Sequence, residues 1–354
     1  MRAHRFSRLT RLICSIVVAL VLATSAPAAA AQSLVPARGE VTVTAIYQQG
    51  LVTDHLTSTG TRDVGRIRSQ GMVLDFGIGL GGKVGVSLAV PFYRSQYTGE
   101  LPHKPVPGDE QIHPTFQYLD DGAYHGAWQD SRFEMRYDLA SLGGVAIAPF
   151  ASVIVPTHEY EYFAHAAAGR LVKELQIGVY AARLLDPWLP GAFVMGRFAH
   201  GFEEEIAGYE RRRSVLSLEG GYFITQSLRA YGLAFGQVTH GGAEFIGLPF
   251  VQFGSPLYIQ HDRIYRENLL NFGAGAGYEI TRSLGVFGSV IRTVDGSNGH
   301  AMAYHMSVGA SFSFGVARPR TGPNGAPPAA TSACPNHDHA REQEQLARCI
   351  CLRK

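Results

Sequence analysis

Five residues near the end of the sequence carry donor atoms for coordination chemistry: Cys334, His337, His339, Cys349 and Cys351. Cys-x-x-His-x-His and Cys-x-Cys offer sulfur and imidazole, a set suited to Cu(I) or Zn(II). The spacing matches no closed structural zinc motif, and no Cys-x-x-Cys-His is present for haem attachment. In an oxidising compartment the same thiols favour a disulfide instead. Cys349 and Cys351 stand one residue apart and would make a strained pair, so Cys334 with either of them is preferred. A tail with no specific role is the third reading, and no cofactor is expected.

A second group has a different spacing. Arg132, Glu134, Arg136 and Asp138 alternate with Phe133, Met135, Tyr137 and Leu139. A period of two puts the charges on one face of a strand and the apolar residues on the other. Facing hydrocarbon, a charge costs about 2–4 kcal/mol near mid-bilayer. The charged face must therefore line an interior, where opposite signs pair. Asp75, Glu174, Glu219, Glu279 and His305 fall in the same inward register, and all nine are expected to line a pore.

Catalysis finds less support. The segment 95–130 holds His103, Asp109, Glu110, His113, Asp120, Asp121, His125 and Asp130, but no pair has a helix-fixed spacing. Ser131 follows Asp130 without a base to orient it as a nucleophile. An enzyme is not expected. His158 to Tyr162 and Glu203-Glu204-Glu205 read as solvated loop surface.

The elements that must position these residues are strands. In Gly71 to Phe92, the apolar Met72, Leu74, Phe76, Ile78 and Leu80 alternate with Val73, Asp75, Gly77 and Gly79. Beyond Gly81-Gly82 the alternation resumes with Val84, Val86, Leu88, Val90 and Phe92. The same pattern predicts strands over 39–49, 71–80, 83–94, 131–140, 144–156, 171–184, 192–200, 212–223, 228–239, 268–280, 284–293 and 301–315. Most have the length of a tilted strand crossing a bilayer. With 41 glycines, 16 tyrosines and 19 phenylalanines, the composition suits glycine-punctuated strands.

The gaps between strands alternate. Short ones fall at 81–82, 141–143, 185–191, 224–227 and 281–283, and long ones at 50–70, 95–130, 157–170, 201–211, 240–267 and 294–300. This is the pattern of an up-and-down outer-membrane barrel, with short periplasmic turns and longer outer loops. Twelve strands return both ends to the periplasm. Only a closed sheet pairs every backbone group in lipid. The expected class is all-β, a transmembrane barrel over 32–315. Loops around Gly60, Asp109, Tyr162, Gly208 and Gly254 should be extracellular. Trp128 and Trp188 should lie near opposite interfaces.

The ends read differently. Arg2, Arg5, Arg8 and Arg11, the apolar run from Leu12 to Thr24, and Ala29-Ala30-Ala31 form a signal peptide over 1–31. Its removal takes four basic residues and no acidic ones, turning a formal charge of +2 into −2. With Arg211-Arg212-Arg213 as the one basic run, no nucleic-acid partner is expected. Residues 316–354 combine a Pro/Gly/Ala linker with the Cys/His tail, a periplasmic segment open to a partner there. The strand before it ends in Phe312-Ser313-Phe314, aromatics suited to the barrel assembly machinery.

The chain resembles the "MetA-pathway of phenol degradation" group of outer-membrane barrels, found beside phenol- and toluene-degradation operons and distantly similar to fatty-acid transport barrels. The resemblance covers about 39–315. It rests on Leu74-Asp75-Phe76-Gly77-Ile78-Gly79 with Val84-Gly85-Val86-Ser87-Leu88, and on Ala148-Pro149-Phe150 through Val155-Pro156-Thr157. Phe272 to Tyr278, Asp295 to Gly299 and Gly309 to Phe314 complete it. It implies a channel or transporter that admits small, often apolar or aromatic molecules through a lipid-embedded barrel. A non-conducting scaffold that binds a partner through loops or tail is the rival. The cysteine-bearing tail departs from the group. Fatty-acid barrels carry an N-terminal hatch, but only 32–38 precede the first strand here, so no such plug is expected. Side chains or an inward fold of 95–130 remain the ways to narrow the lumen.

Overall fold

The computed structural model describes residues 34–57, 60–81, 83–99, 117–142, 144–244, 256–281 and 283–315. The strands are β1 (Glu40–Leu56), β2 (Thr61–Gly81), β3 (Val84–Thr98), β4 (Tyr124–Trp128), β5 (Asp130–Tyr137), β6 (Leu139–Leu142) and β7 (Val145–Pro156). They continue as β8 (Glu174–Leu184), β9 (Ala192–Glu203), β10 (Arg211–Phe223), β11 (Leu228–Gly241), β12 (Asn268–Glu279), β13 (Leu284–Ser297) and β14 (Gly299–Gly315). Two short helices, α1 (Pro256–Ile259) and α2 (His261–Ile264), lie between β11 and β12.

All pairings between the strands are antiparallel, and β1 joins β14 with Glu40 opposite Gly315 and Leu56 opposite Gly299. The sheet thus closes on itself. Segments β4, β5 and β6 are successive pieces of one stave between β3 and β7, so the closed barrel has 12 staves.

Alternation decides which residues face out. Phe133, Met135, Tyr137 and Leu139 are 43–51% exposed on the outer face, whereas Glu134 between them is fully enclosed. Met72, Phe76, Ile78 and Leu80 stand on the same outer surface with Leu88, Ile177 and Val308. In water so much exposed apolar area is unfavourable. In hydrocarbon it is what a closed barrel presents.

Several strands are longer than their apolar pattern. β1 and β2 run well into 50–70, and β13 and β14 consume 294–300 except for a turn at Asn298, which has φ 55°. The physical reason is that ladder hydrogen bonds continue after the apolar band ends, while the alternation that betrays a strand does not. At a rise of about 3.4 Å per residue, the 21 residues of β2 extend far beyond an apolar band of about 25 Å. The opposite happens at β8, which starts at Glu174 and not Leu171, where φ is 52°.

Both ends of the barrel are occupied from within. At the short-turn rim, Leu34 and Val35 are 2% and 3% exposed, and Leu34 packs among Ala146, Ala148, Phe150 and Tyr180 of the inner wall. Gly39 N–H donates to Gly79 O at 2.8 Å, and Ala37 N–H to Glu40 Oε2 at 3.0 Å. A Cβ on Gly79 would come within 2.0 Å of Ala37 O, and one on Gly85 within 2.8 Å of Val35 Cγ1. Glycine at those two positions makes room for the chain. No hatch of the fatty-acid type is expected from the sequence, yet 34–38 enter the lumen. A pentapeptide lacks the length of a hatch but not the apolar surface to pack.

At the other rim three connections fold inward. Leu119, Ala164 and Ala166 pack on Ile67 and Tyr97 of the inner wall. Tyr162 and Phe163 pack on Tyr258 and Ile259 of α1. Ile264 and Tyr265 pack with Ala243. Tyr162, read as the tip of an exposed loop, is 4% exposed. The aromatic and alanine content of 160–167 drives it inward, which the flanking charges concealed.

Candidate functional site: the lumen and its mouth

Three groups of ion pairs climb the inner wall. Near the middle, Glu134 accepts from Arg136 Nε at 2.7 Å, from Tyr180 Oη at 3.0 Å and from Arg197 Nη2 at 3.4 Å. Arg197 also donates to Gln176 Oε1 at 2.9 Å, and its guanidinium lies 4.4 Å from the centre of the Phe150 ring. Arg136 stacks on Tyr180 at 4.4 Å. Two guanidinium planes thus rest on aromatic faces, a favourable pairing of cation and ring quadrupole. Asp75 on β2 faces Arg132 on β5 at 3.6 Å, across the intervening β3.

Toward the long-loop rim, Glu174 pairs with Arg213, and Glu203 meets Arg213 Nε at 2.9 Å, Arg170 at 3.2 Å and Arg211 Nε at 3.3 Å. Glu203 is 1% exposed at its side chain. This corrects the reading of Glu203-Glu204-Glu205 as solvated surface: β9 runs on through Glu203, and alternation turns that carboxylate inward. Arg211-Arg212-Arg213 divides by the same rule. Arg211 and Arg213 point in, whereas Arg212 lies outside against exposed Glu210. Gly201 completes the group, since a Cβ there would fall 1.9 Å from Glu174 Oε1.

Near the short-turn rim, Arg229 Nη1 meets Glu279 at 3.2 Å. Gly277 leaves space for the Arg229 guanidinium and Gly275 for the Tyr231 ring. Gly275 and Gly277 are therefore a floor beneath those side chains. Glu219 is 8% exposed on the inner face of β10. His305 stands beside Gly50, whose absent side chain makes room for its ring. Asp138, in the break between β5 and β6, is half-buried and joins Lys83 O through its backbone N–H at 2.8 Å.

The residues that the sequence reading missed are cations: Arg197, Arg213 and Arg229, with Tyr180 and Gln176 as neutral bridges. A signal was available. Arg213 shares the odd-numbered inward register of Glu219, and Arg229 that of Tyr231.

The mouth is held by its own hydrogen bonds. Tyr160 Oη donates to Asp130 at 2.6 Å and accepts from Leu171 N–H at 2.9 Å. Burial and the Asp130 carboxylate push the Tyr160 hydroxyl above the ordinary tyrosine range, so it stays a donor. Asp120, 1% exposed, accepts from the N–H groups of Ala166 at 2.9 Å and His165 at 3.3 Å. In the polar segment 95–130, this leaves Asp120 as a structural anchor and Asp121 paired with His125 at 2.8 Å. His103, Asp109, Glu110 and His113 lie outside the described residues, as do the signal segment and Cys334, His337, His339, Cys349 and Cys351.

Among solved structures, the COG4313 outer membrane channel from Pseudomonas putida F1 matches with a TM-score of 0.59. The match covers 81% of this chain and 100% of that one at 12% identity. The chain shares the barrel fold of that protein. The barrel also aligns with the β domain of the Bordetella autotransporter Brka, at TM-score 0.45, 10% identity and coverage of 78% and 100%. The NanC porin follows at TM-score 0.42, 8% identity and coverage of 76% and 98%. No protein-family model and no curated protein matches the chain. The first likeness speaks to the barrel's fold.

Proposed function

We propose that this protein is an outer-membrane channel for small molecules. The observation that carries the reading is a closed barrel with an apolar outside and a lumen wall of paired charges, Glu134 with Arg136 and Arg197 above all. Lipid solvates the outside, and the assembly machinery of the outer membrane would deliver the barrel there. The long-loop rim then faces the exterior, and the short turns and both termini the periplasm. Phe150 and Tyr180 carry the guanidinium groups of Arg197 and Arg136 and are covered by Leu34, so the paired charges beside them are held in place. The family resemblance implies small, often apolar or aromatic molecules as the solutes. The inward-folded mouth restricts size. No hydrolytic or redox step is part of this reading.

Purified protein in planar bilayers should give discrete conductance steps. Proteoliposomes should take up small aromatic alcohols or acids faster than a disaccharide. A barrel that inserts yet conducts no ions and passes no solute would sink the channel and favour a scaffold.

A further inference from the structure

Three histidines far apart in sequence meet inside the mouth. His55 lies at the end of β1 and is paired in register with His300 at the start of β14, while His165 reaches them from the inward-folded connection between β7 and β8. One ligand nitrogen from each lies within 4.8 Å of the other two. His55 and His165 are each 6% exposed. The ring centres of His55 and His300 are 4.1 Å apart, and each lies 5.9 Å from that of His165. The cluster borders a cavity of about 240 Å³ that Asp262 and Glu267 also line.

We propose that His55, His165 and His300 form a binding site for a borderline divalent metal such as Zn(II), with Asp262 or water as a further ligand. Three neutral imidazoles are the donor set that Zn(II), Ni(II) and Cu(II) prefer. Nothing in barrel architecture requires three of them together in a buried place, where protonation would set charge against like charge. Two neighbouring features belong to a site. His300 Nε2 is a buried atom with no hydrogen-bond partner among the described residues. His165 Nδ1 lies 3.5 Å from the Asp120 carboxylate, which also holds the backbone of that loop. A carboxylate behind a ligating imidazole is the usual means of fixing its ring and raising its basicity. Tyr97 holds the other side of the ring, stacked at 4.6 Å.

Nitrogens around a tetrahedral metal at about 2.0–2.1 Å lie roughly 3.3 Å apart, so metal entry asks each ring to move by about 1 Å. Closing that distance ties the inward loop to the seam where β1 meets β14. The site would therefore act as a clamp on the mouth. Metal binding itself does not depend on the channel reading.

The test uses the full chain folded in detergent, with Cys334, Cys349 and Cys351 changed to serine so that the tail offers no thiolate. Co(II) and Zn(II) are titrated in. One equivalent of Co(II) should bind with visible d–d bands of a four- or five-coordinate site and no thiolate charge-transfer band. His165→Asn and, separately, His300→Gln should abolish that spectrum while the barrel remains heat-modifiable on a gel. Asp120→Asn should keep the spectrum but weaken affinity by about 10- to 100-fold. An unchanged spectrum and stoichiometry in a folded histidine variant would overturn the site. So would metal uptake that disappears with the cysteines alone. Should one histidine variant fail to fold, the other decides.

Discussion

At the scale of single residues, the lumen shows how a buried charge is tolerated. Glu134 is fully enclosed and collects three donors, so its removal is felt by all of them. Taking away one partner of a buried ion pair costs about 3–5 kcal/mol, because the other charge is left uncompensated. Glu134→Gln should therefore lower the unfolding midpoint in urea. It should also shift the lumen toward anions, since Arg136 and Arg197 lose their counter-charge. Reversal potentials in a salt gradient measure this, and the shift should shrink as ionic strength rises. An unchanged reversal potential at low salt would remove Glu134 from the permeation path. By contrast, exposed Arg212 against Glu210 is a pair of the kind worth only about 0–1 kcal/mol, and its loss should be silent.

At the scale of elements, small residues decide what enters the barrel. Gly79→Ala would set a Cβ against the backbone oxygens of Ala37 and Pro36, at 2.0 and 2.3 Å, which no side-chain rotation relieves. The strand ladder, with many more hydrogen bonds, should hold, and the N-terminal segment should leave. A cysteine at position 34 would then react with a polar maleimide much faster in the Gly79→Ala background than alone. Equal rates would mean that 34–37 are not seated by that glycine. At the opposite rim, Tyr160→Phe removes the 2.6 Å bond to Asp130 and the acceptor for Leu171 N–H. Proteolysis within 157–173 should accelerate while the barrel stays intact.

For the whole molecule, solvent is the organising variable. Leu74 faces outward between Met72 and Phe76, and arginine there should weaken insertion by about 2–4 kcal/mol if it meets the bilayer midplane. Urea titration of folding into lipid vesicles reads that cost directly, and a normal titration would place Leu74 away from the core. Orientation has its own test. A Cβ on Gly60 or on Gly208 would meet no atom within 4 Å, so tags fit there. They should be labelled on intact cells, whereas a tag after Gly315 should not. Labelling after Gly315 from outside would invert the barrel.

What the sequence determined by itself was the wall. A period of two, read through Phe133 to Leu139 against Arg132 to Asp138, assigns every side chain in a strand to one face or the other. It is a local property, preserved whatever the strand pairs with, and the structure keeps it in all three regions of the lumen. The same rule applied to Arg213 and Arg229 would have reached the missing counter-charges. Strand ends were less legible, because hydrogen-bonded ladders outlast the apolar alternation in β1, β2, β13 and β14. The interior contents were decided only by the tertiary structure. Leu34, Tyr162 and Phe163 carry no periodicity, and their burial depends on a cavity that exists once the ring has closed. His55, His165 and His300 lie more than a hundred residues apart. They become neighbours because closure sets β1 against β14 and the barrel then draws one loop into the space between.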